Sequence, residues 1–221
     1  MEEQRQIRMP MTIENIRLIF EGKKTETRRI IHIDYKYPNG VIFGGWTFDG
    51  LAEFLNTRYG GSFLRKPRYR VGDLCWLPEP FKFTPKYDHL KPSKVPEDAE
   101  VWYADQIGWN MKYCGRYRNA RFMLKRLARK WIEILEVLPP HRIQDITEND
   151  AIAEGMEEIG EIKITGRLRM KWRSYQSYID CTNAVSAFST EWNMLHGFDA
   201  WELNSWVIPY RFRKIKNPNE Q

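Results

Sequence analysis

Between Lys112 and Lys130 the chain places eight basic residues and no acid: Lys112, Arg116, Arg118, Arg121, Lys125, Arg126, Arg129 and Lys130, with Tyr113, Tyr117 and Phe122 among them. Arg and Lys neutralise phosphates, and planar rings offer faces on which bases stack, so this spacing suits a polyanion that also carries bases. The competing reading is that such charges merely solvate the outer faces of ordinary elements. A second polar constellation lies in Lys23-Lys24-Thr25-Glu26-Thr27-Arg28-Arg29-Ile30-Ile31. Read as an extended segment, its period of two puts Thr25, Thr27, Arg29 and Ile31 on one side, so three polar groups face together. Redox and metal chemistry find no support. Cys75, Cys114 and Cys181 form no Cys-x-x-Cys pair, and His32, His89, His141 and His196 have no i, i+4 partner, so reduced thiols, no metal and no cofactor are expected.

Several elements must hold these groups. Thr12 can cap a helix running to Glu21, on which Ile13, Ile16 and Phe20 recur at helical spacing and which Gly22 can end. Strands are expected near Gly72 to Leu77, Ala99 to Ala104 and Lys130 to Leu138, the last stopped by Pro139-Pro140. Thr147 with Asp150 forms a capping-box start for a two-turn helix closed by Gly155, and Val185, Phe188, Trp192 and Leu195 mark a longer helix before Gly197. Trp206 to Arg213 reads as a final strand, and Pro209 inside it argues for an edge or a bulge. The stretch from Tyr35 to Arg70, rich in Gly and Tyr, reads as a long loop or insertion. Trp192, Trp201 and Trp206 are assigned to core, and Asp145 and Asp150 to cap and turn positions.

With 221 residues, 42% of them hydrophobic, and nine Trp beside eleven Tyr, the chain can bury a real core, which excludes wholesale disorder. Its longest uncharged stretch, Tyr37 to Phe48, is twelve residues and contains three Gly and a Pro. That is short of the ~18 apolar residues a membrane helix needs. The start, Met1-Glu2-Glu3-Gln4-Arg5, reads as neither signal nor transit peptide, so a cytoplasmic protein is expected. The net charge of +6 is segmented: seven acids and no Lys or Arg between Asp145 and Glu161, then Lys163, Arg167, Arg169, Lys171 and Arg173.

Four segments in register carry a resemblance: Glu21-Gly22-Lys23-Lys24-Thr25-Glu26-Thr27-Arg28-Arg29, Gly72-Asp73-Leu74-Cys75-Trp76, Ile143 to Gly155, and Asn204-Ser205-Trp206-Val207. Together they resemble the ASCH domain family, in particular its longer phage and prophage members. The likeness runs from Met11 to Ile215, with little to match in 35–68 and 157–180. Ser205 departs from the Pro those members carry, and Met123-Leu124-Lys125-Arg126 departs from their Met-Pro-Arg-Trp, exchanging an aromatic for a cation.

The resemblance implies an α+β fold: a PUA-like small β-barrel with flanking helices and long loop insertions, in one domain over 1–221 with insertions near 35–68 and 157–181. Family likeness does not by itself fix chemistry. The short bacterial members remove the acetyl group from acetylated cytidine, and their proposed catalytic Lys, Thr and Glu fall here on Lys24, Thr27 and Glu154. In that scheme a Lys takes the Thr proton and a carboxyl protonates the departing amine. Two functions follow. The first is binding of nucleic acid, RNA ahead of DNA, or of a modified nucleotide, in the barrel cleft, with Arg28, Arg29, Arg116, Arg118, Arg121, Lys125, Arg126 and Arg129 on phosphates and Trp76 and Glu79 lining the pocket. The second is a hydrolase, an amidohydrolase of acylated cytidine-type nucleosides or a nuclease, centred on Lys24, Thr27 and Glu154. No membrane partner is expected.

Overall fold

The computed structural model describes residues 4–33, 40–106, 109, 111–164, 167–173 and 180–219. Along the chain run β1 (Gln6–Arg8), α1 (Ile13–Phe20), β2 (Glu26–Ile30), β3 (Val41–Trp46), β4 (Ala52–Asn56), β5 (Ser62–Arg65), β6 (Leu74–Trp76), β7 (Phe81–Lys82), β8 (Trp102–Tyr103), β9 (Trp131–Val137), β10 (His141–Arg142), α2 (Glu148–Ala153), β11 (Glu157–Ile164), β12 (Arg167–Arg173), β13 (Asp180–Cys181), α3 (Ala184–His196) and β14 (Trp206–Ile215). The class is α+β, mostly β. The chain forms two compact units, the first from Met1–Ile16, Gly72–Glu133 and Lys214–Gln221, the second from Arg17–Val71 and Ile134–Arg213.

In the first unit β1 pairs in parallel with β6, Ile7 opposite Cys75, and β6 pairs antiparallel with the start of β9, Cys75 opposite Ile132. Leu74, Cys75, Trp76 and Leu77 are all buried, the pattern of a strand covered on both faces. Phe81, Phe83, Val95, Met123, Leu127 and Trp131 complete this core. The loops over it need donors for their carbonyls, because a buried C=O without a partner is costly. Arginines supply them: Arg118 donates to the carbonyls of Tyr87 (2.8 Å) and Leu90 (3.0 Å), and Arg126 to that of Val95 (2.9 Å).

In the second unit β14 is the strand that others join. β2 pairs antiparallel along it, Thr27 opposite Tyr210, and β10 pairs with its start, Arg142 opposite Trp206. Pro209 therefore marks no edge, contrary to the expectation from sequence. The bonds from Ile31 N–H to the Trp206 carbonyl (2.8 Å) and from Phe212 N–H to the Thr25 carbonyl (3.1 Å) set the alternation. Pro209, opposite Arg28, falls at a non-hydrogen-bonded position toward β2, where a missing N–H forfeits no bond. α2 and α3 share a core of Ile143, Ala151, Met156, Ala184, Ala187, Phe188, Trp192 and Val207.

The stretches expected as long loops are largely sheet. β3, β4 and β5 form an antiparallel meander around Phe54, with a register shift between Phe43 and Gly45, and β11 pairs antiparallel with β12. The glycines that suggested a loop sit at the turns and the bulge. Residues 34–39, 165–166 and 174–179 of those stretches lie outside the described residues.

The end of α2 controls how the chain enters β11. Gly155 N–H bonds the Ile152 carbonyl (2.8 Å) and Met156 N–H that of Ala151 (3.2 Å), the paired bonds of a Schellman cap. Gly155 has φ +103°, and a Cβ there would stand 2.9 Å from Leu18 Cδ1. Gly155→Ala is expected to lower stability by about 1–3 kcal/mol through strain and overlap. Urea unfolding should show a lower midpoint at unchanged slope.

Candidate functional site

Of the residues that could do chemistry, Lys24 and Glu154 meet although 130 positions separate them in sequence. Each is delivered by a local structure. α2 is nucleated by its capping box, Thr147 Oγ1 accepting from Asp150 N–H (3.2 Å) and Asp150 Oδ2 accepting from Thr147 N–H (3.3 Å). At its other end Thr25 N–H donates to the Ala153 carbonyl (2.9 Å), laying the segment before β2 against the end of the helix. The Lys24 ammonium then donates to the Glu154 carbonyl (2.7 Å) and pairs with Glu154 Oε2. A cation here also satisfies a helix-terminal carbonyl and the negative end of the helix dipole.

Arg28 closes the other side. Its Nη1 donates to Glu154 Oε1 (3.1 Å), its Nη2 lies 2.8 Å from Glu26 Oε1 and 3.5 Å from Asp150 Oδ2, and its Nε donates to His141 Nε2 (3.4 Å). Glu26 Oε2 accepts from Arg211 Nε (3.0 Å), and Arg211 reaches on to Glu136 (2.9 Å). Lys24, Glu26, Thr27, Arg28 and Glu154 are all buried. Period two explains the membership: Lys24, Glu26 and Arg28 share one side of the extended segment and make the ion cluster, while Thr25, Thr27 and Arg29 take the other.

Electrostatics within the cluster oppose one another. For Glu154, burial favours the neutral acid, but Lys24 and then Arg28 outweigh it and hold the carboxyl below the usual glutamate range. For Glu26, burial wins over Arg28 and pushes the carboxyl up. Burial and then the charge of Arg28 hold His141 below its ordinary value, which agrees with an imidazole nitrogen that accepts from Arg28. Burial works against Asp150, yet the bonds from Thr147 and the charge of Arg28 bring it down.

The catalytic scheme implied by the resemblance meets two obstacles in this geometry. Glu154, meant to protonate a leaving amine, is held as a carboxylate and can only accept. Among the described residues no hydrogen bond joins Thr27 to Lys24, whose ammonium bonds both go to Glu154 instead. Thr27 is buried on the other side of the strand.

The expected phosphate contacts also divide. Arg28, its side chain 1% exposed, is a structural cation. Arg118 is buried with two of its donors on loop carbonyls. Arg129 grips Glu79 with two bonds (2.9 and 3.0 Å) and also pairs with Asp105, and Lys130 joins both acids at 2.9 Å. Glu79 is thus neutralised within the first unit, and Trp76 is part of that unit's core. Arg29 is half-buried on β2. Arg116, Arg121, Lys125 and Arg126 are exposed, together with Tyr113, Tyr117 and Phe122. Arg126 bonds the Val95 carbonyl, while Arg121 lies 4.7 Å over the ring of Phe122. Sequence reasoning missed Glu26, His141 and Arg211; the shared parity of Glu26 with Lys24 and Arg28 was the one signal present. No protein-family model, no curated protein and no solved structure matches this chain.

The two buried glutamates give opposite pH dependences. Glu154 has its folded pKa depressed, so its stabilisation is present above the ordinary value of ~4.3 and is lost as pH falls through the folded pKa. Glu26 has its folded pKa raised, so its contribution grows as pH falls through that value. Glu154→Gln, which strands Lys24 and Arg28, should cost about 3–5 kcal/mol at neutral pH. In urea unfolding across the acid range, Glu154→Gln should flatten the loss of stability and Glu26→Gln should steepen it. Slopes identical to wild type in both variants would contradict the assignment.

Proposed function

We propose that this chain is a nucleic-acid-binding protein of the ASCH type, with a PUA-like barrel, that takes single-stranded nucleic acid, RNA ahead of DNA, or a nucleotide unit. The observation that carries this is the exposed surface of the first unit, where Lys112, Arg116, Arg121 and Lys125 stand among Tyr113, Tyr117 and Phe122, each of these rings more than half exposed. Exposed rings are unfavourable in water, and cations beside them suit a partner that presents phosphates and bases together. Lys112, Arg116, Arg121 and Lys125 have no ion pair among the described residues, in contrast to Arg28, Arg129 and Lys130. A cytoplasmic setting belongs to the same proposal; among the described residues no helix is long and apolar enough to cross a membrane.

The test is the salt dependence of binding. Fluorescence anisotropy with a labelled single-stranded oligonucleotide should show affinity falling steeply with salt. Replacing Lys112, Arg121 and Lys125 together by Gln should reduce the slope of log K against log salt by about 2, at roughly 0.7 per phosphate contact on a single strand. Absence of binding by wild type at low salt would end the reading. The hydrolase alternative has the meeting of Lys24 with Glu154 in its favour, and the ionised state of Glu154 and the lack of a Lys24–Thr27 bond among the described residues against it. Release of acetate from acetylated cytidine by wild type, abolished in Lys24→Ala, would favour it over binding alone.

A further inference from the structure

The first unit carries a concavity of about 620 Å³ whose lining includes Lys91, Arg116, Tyr117, Arg118, Asn119 and Phe122. Its volume lies in the range of small-ligand sites, roughly 300–1,000 Å³. What distinguishes it is an uncompensated charge. Arg118 is 5% exposed, and two of its nitrogens donate to the Leu90 and Tyr87 carbonyls. Its Nε is buried and has no hydrogen-bond partner. A buried guanidinium ordinarily sits against a carboxylate, because an isolated charge is expensive to desolvate. Among the described residues none comes within ion-pair distance of Arg118. Asp88 is close enough to act on it through space, but its Oδ1 accepts instead from the Arg116 main-chain N–H (2.8 Å). Burial, and then the charge of Arg116, lower the Arg118 pKa from its ordinary value. Lys91 and Arg116 also lack an acid among the described residues, so the wall of the concavity has a surplus of positive charge.

The remaining lining includes two aromatic rings, beside Pro92, Ser93 and Leu124. Tyr117 is 57% and Phe122 52% exposed. Trp109 meets Tyr117 edge to face, with centroids 6.1 Å apart and planes at 83°. Phe122 sits on a one-turn helix, Ala120–Phe122, capped by Asn119, whose Oδ1 accepts from Arg121 N–H (2.9 Å). That bond occupies the Asn119 oxygen and leaves its amide nitrogen to donate toward an acceptor on a base edge. Trp109 thus packs on the Tyr117 ring and Arg121 on that of Phe122, contacts that lower the cost of ordering them on binding.

We propose that this concavity is a nucleotide subsite: one unpaired nucleotide places its base against Tyr117 and Phe122 and its phosphate on Arg116 and Lys91, with the field of Arg118 behind them. The subsite rests on the nucleic-acid reading above and gives it a location and a stacking component. A phosphate there supplies the negative charge that Arg118 lacks, and the base covers rings otherwise left to water.

The experiment measures binding of a fluorescein-labelled oligouridylate to the full-length protein and to Tyr117→Ala, Phe122→Ala, Tyr117→Phe and Arg116→Ala, with folding checked by circular dichroism. Each alanine exchange of an aromatic should weaken binding about tenfold while leaving the salt slope unchanged, and Tyr117→Phe should bind as wild type. Arg116→Ala should lower the salt slope by about 0.7. Competition by adenosine monophosphate as effective as that by the oligonucleotide assigns a free nucleotide, and competition by the oligonucleotide alone assigns a strand; either supports the subsite. Wild type that binds while both aromatic variants bind within about twofold of it overturns the subsite and leaves the nucleic-acid reading standing. Displacement by polyglutamate as effective as by the oligonucleotide reduces the site to a charge effect and also overturns it. Wild type that binds no nucleic acid at low salt defeats both.

Discussion

The carboxylate of Glu154, buried with the Lys24 ammonium on one oxygen and the Arg28 guanidinium on the other, is the contact from which the second unit's arrangement follows. It joins the end of α2 to the segment that becomes β2, and β2 in turn pairs along β14. Burying these charges is expensive, and the attraction between them offsets the expense only where the remaining donors and acceptors are also used. The Glu154 carbonyl takes Lys24, His141 takes the Arg28 Nε, and Glu26 and Asp150 share the far side of that guanidinium. Such a cluster adds little net stability compared with apolar packing of the same volume, but it tolerates few alternative registers. Sliding β2 by one residue would put Thr25 and Thr27 into two of the three places now held by Lys24, Glu26 and Arg28 and leave Glu154 with at most one of its two cations.

Among the described residues, arginines do at least three different jobs, and residue type does not separate them. Arg28 and Arg129 neutralise buried acids. Arg118 and Arg126 hold loop carbonyls, a task for which a fork of five donors suits loops crossing a core. Arg121 lies exposed over the Phe122 ring and Arg116 is exposed with one long contact to the Leu90 carbonyl (3.5 Å), so both remain open to an external anion. The basic stretch is therefore partly a scaffold. Its surplus charge is concentrated on fewer residues than its composition implies, in the neighbourhood of Tyr117 and Phe122.

What the sequence disclosed follows the reach of local physics. The three helices were legible from different local signals: Thr12, an apolar period and Gly22 for α1, the Thr147–Asp150 box and Gly155 for α2, and the period of Val185, Phe188, Trp192 and Leu195 before Gly197 for α3, whose Asn183 cap the sequence reading missed. The strands at Leu74, Trp131 and Trp206 were legible from dense apolar runs. The meander at 41–65 was not, because its strands are short and its glycines read as loop until β4 is seen to pair on both sides. In the candidate site, the meeting of Lys24 with Glu154 was expected from the family resemblance, whereas the exclusion of Thr27 from that meeting was readable from strand parity. A catalytic pattern that groups Lys24 with Thr27 obscures the simpler fact that residues three apart in an extended segment face opposite ways. Which arginines are claimed by carbonyls could not be read, since it depends on loops brought together only in the folded unit.

Glu154 is an ionised acceptor locked between two cations, and a carboxyl-carbon NMR titration of the glutamates measures that state directly. The expected result is a Glu154 resonance that stays in its ionised position below the ordinary glutamate range, while the Glu26 resonance titrates above that range. A Glu154 resonance that titrates at or above the ordinary value would contradict the account, because a neutral Glu154 could neither hold Lys24 and Arg28 in place nor be barred from acting as an acid.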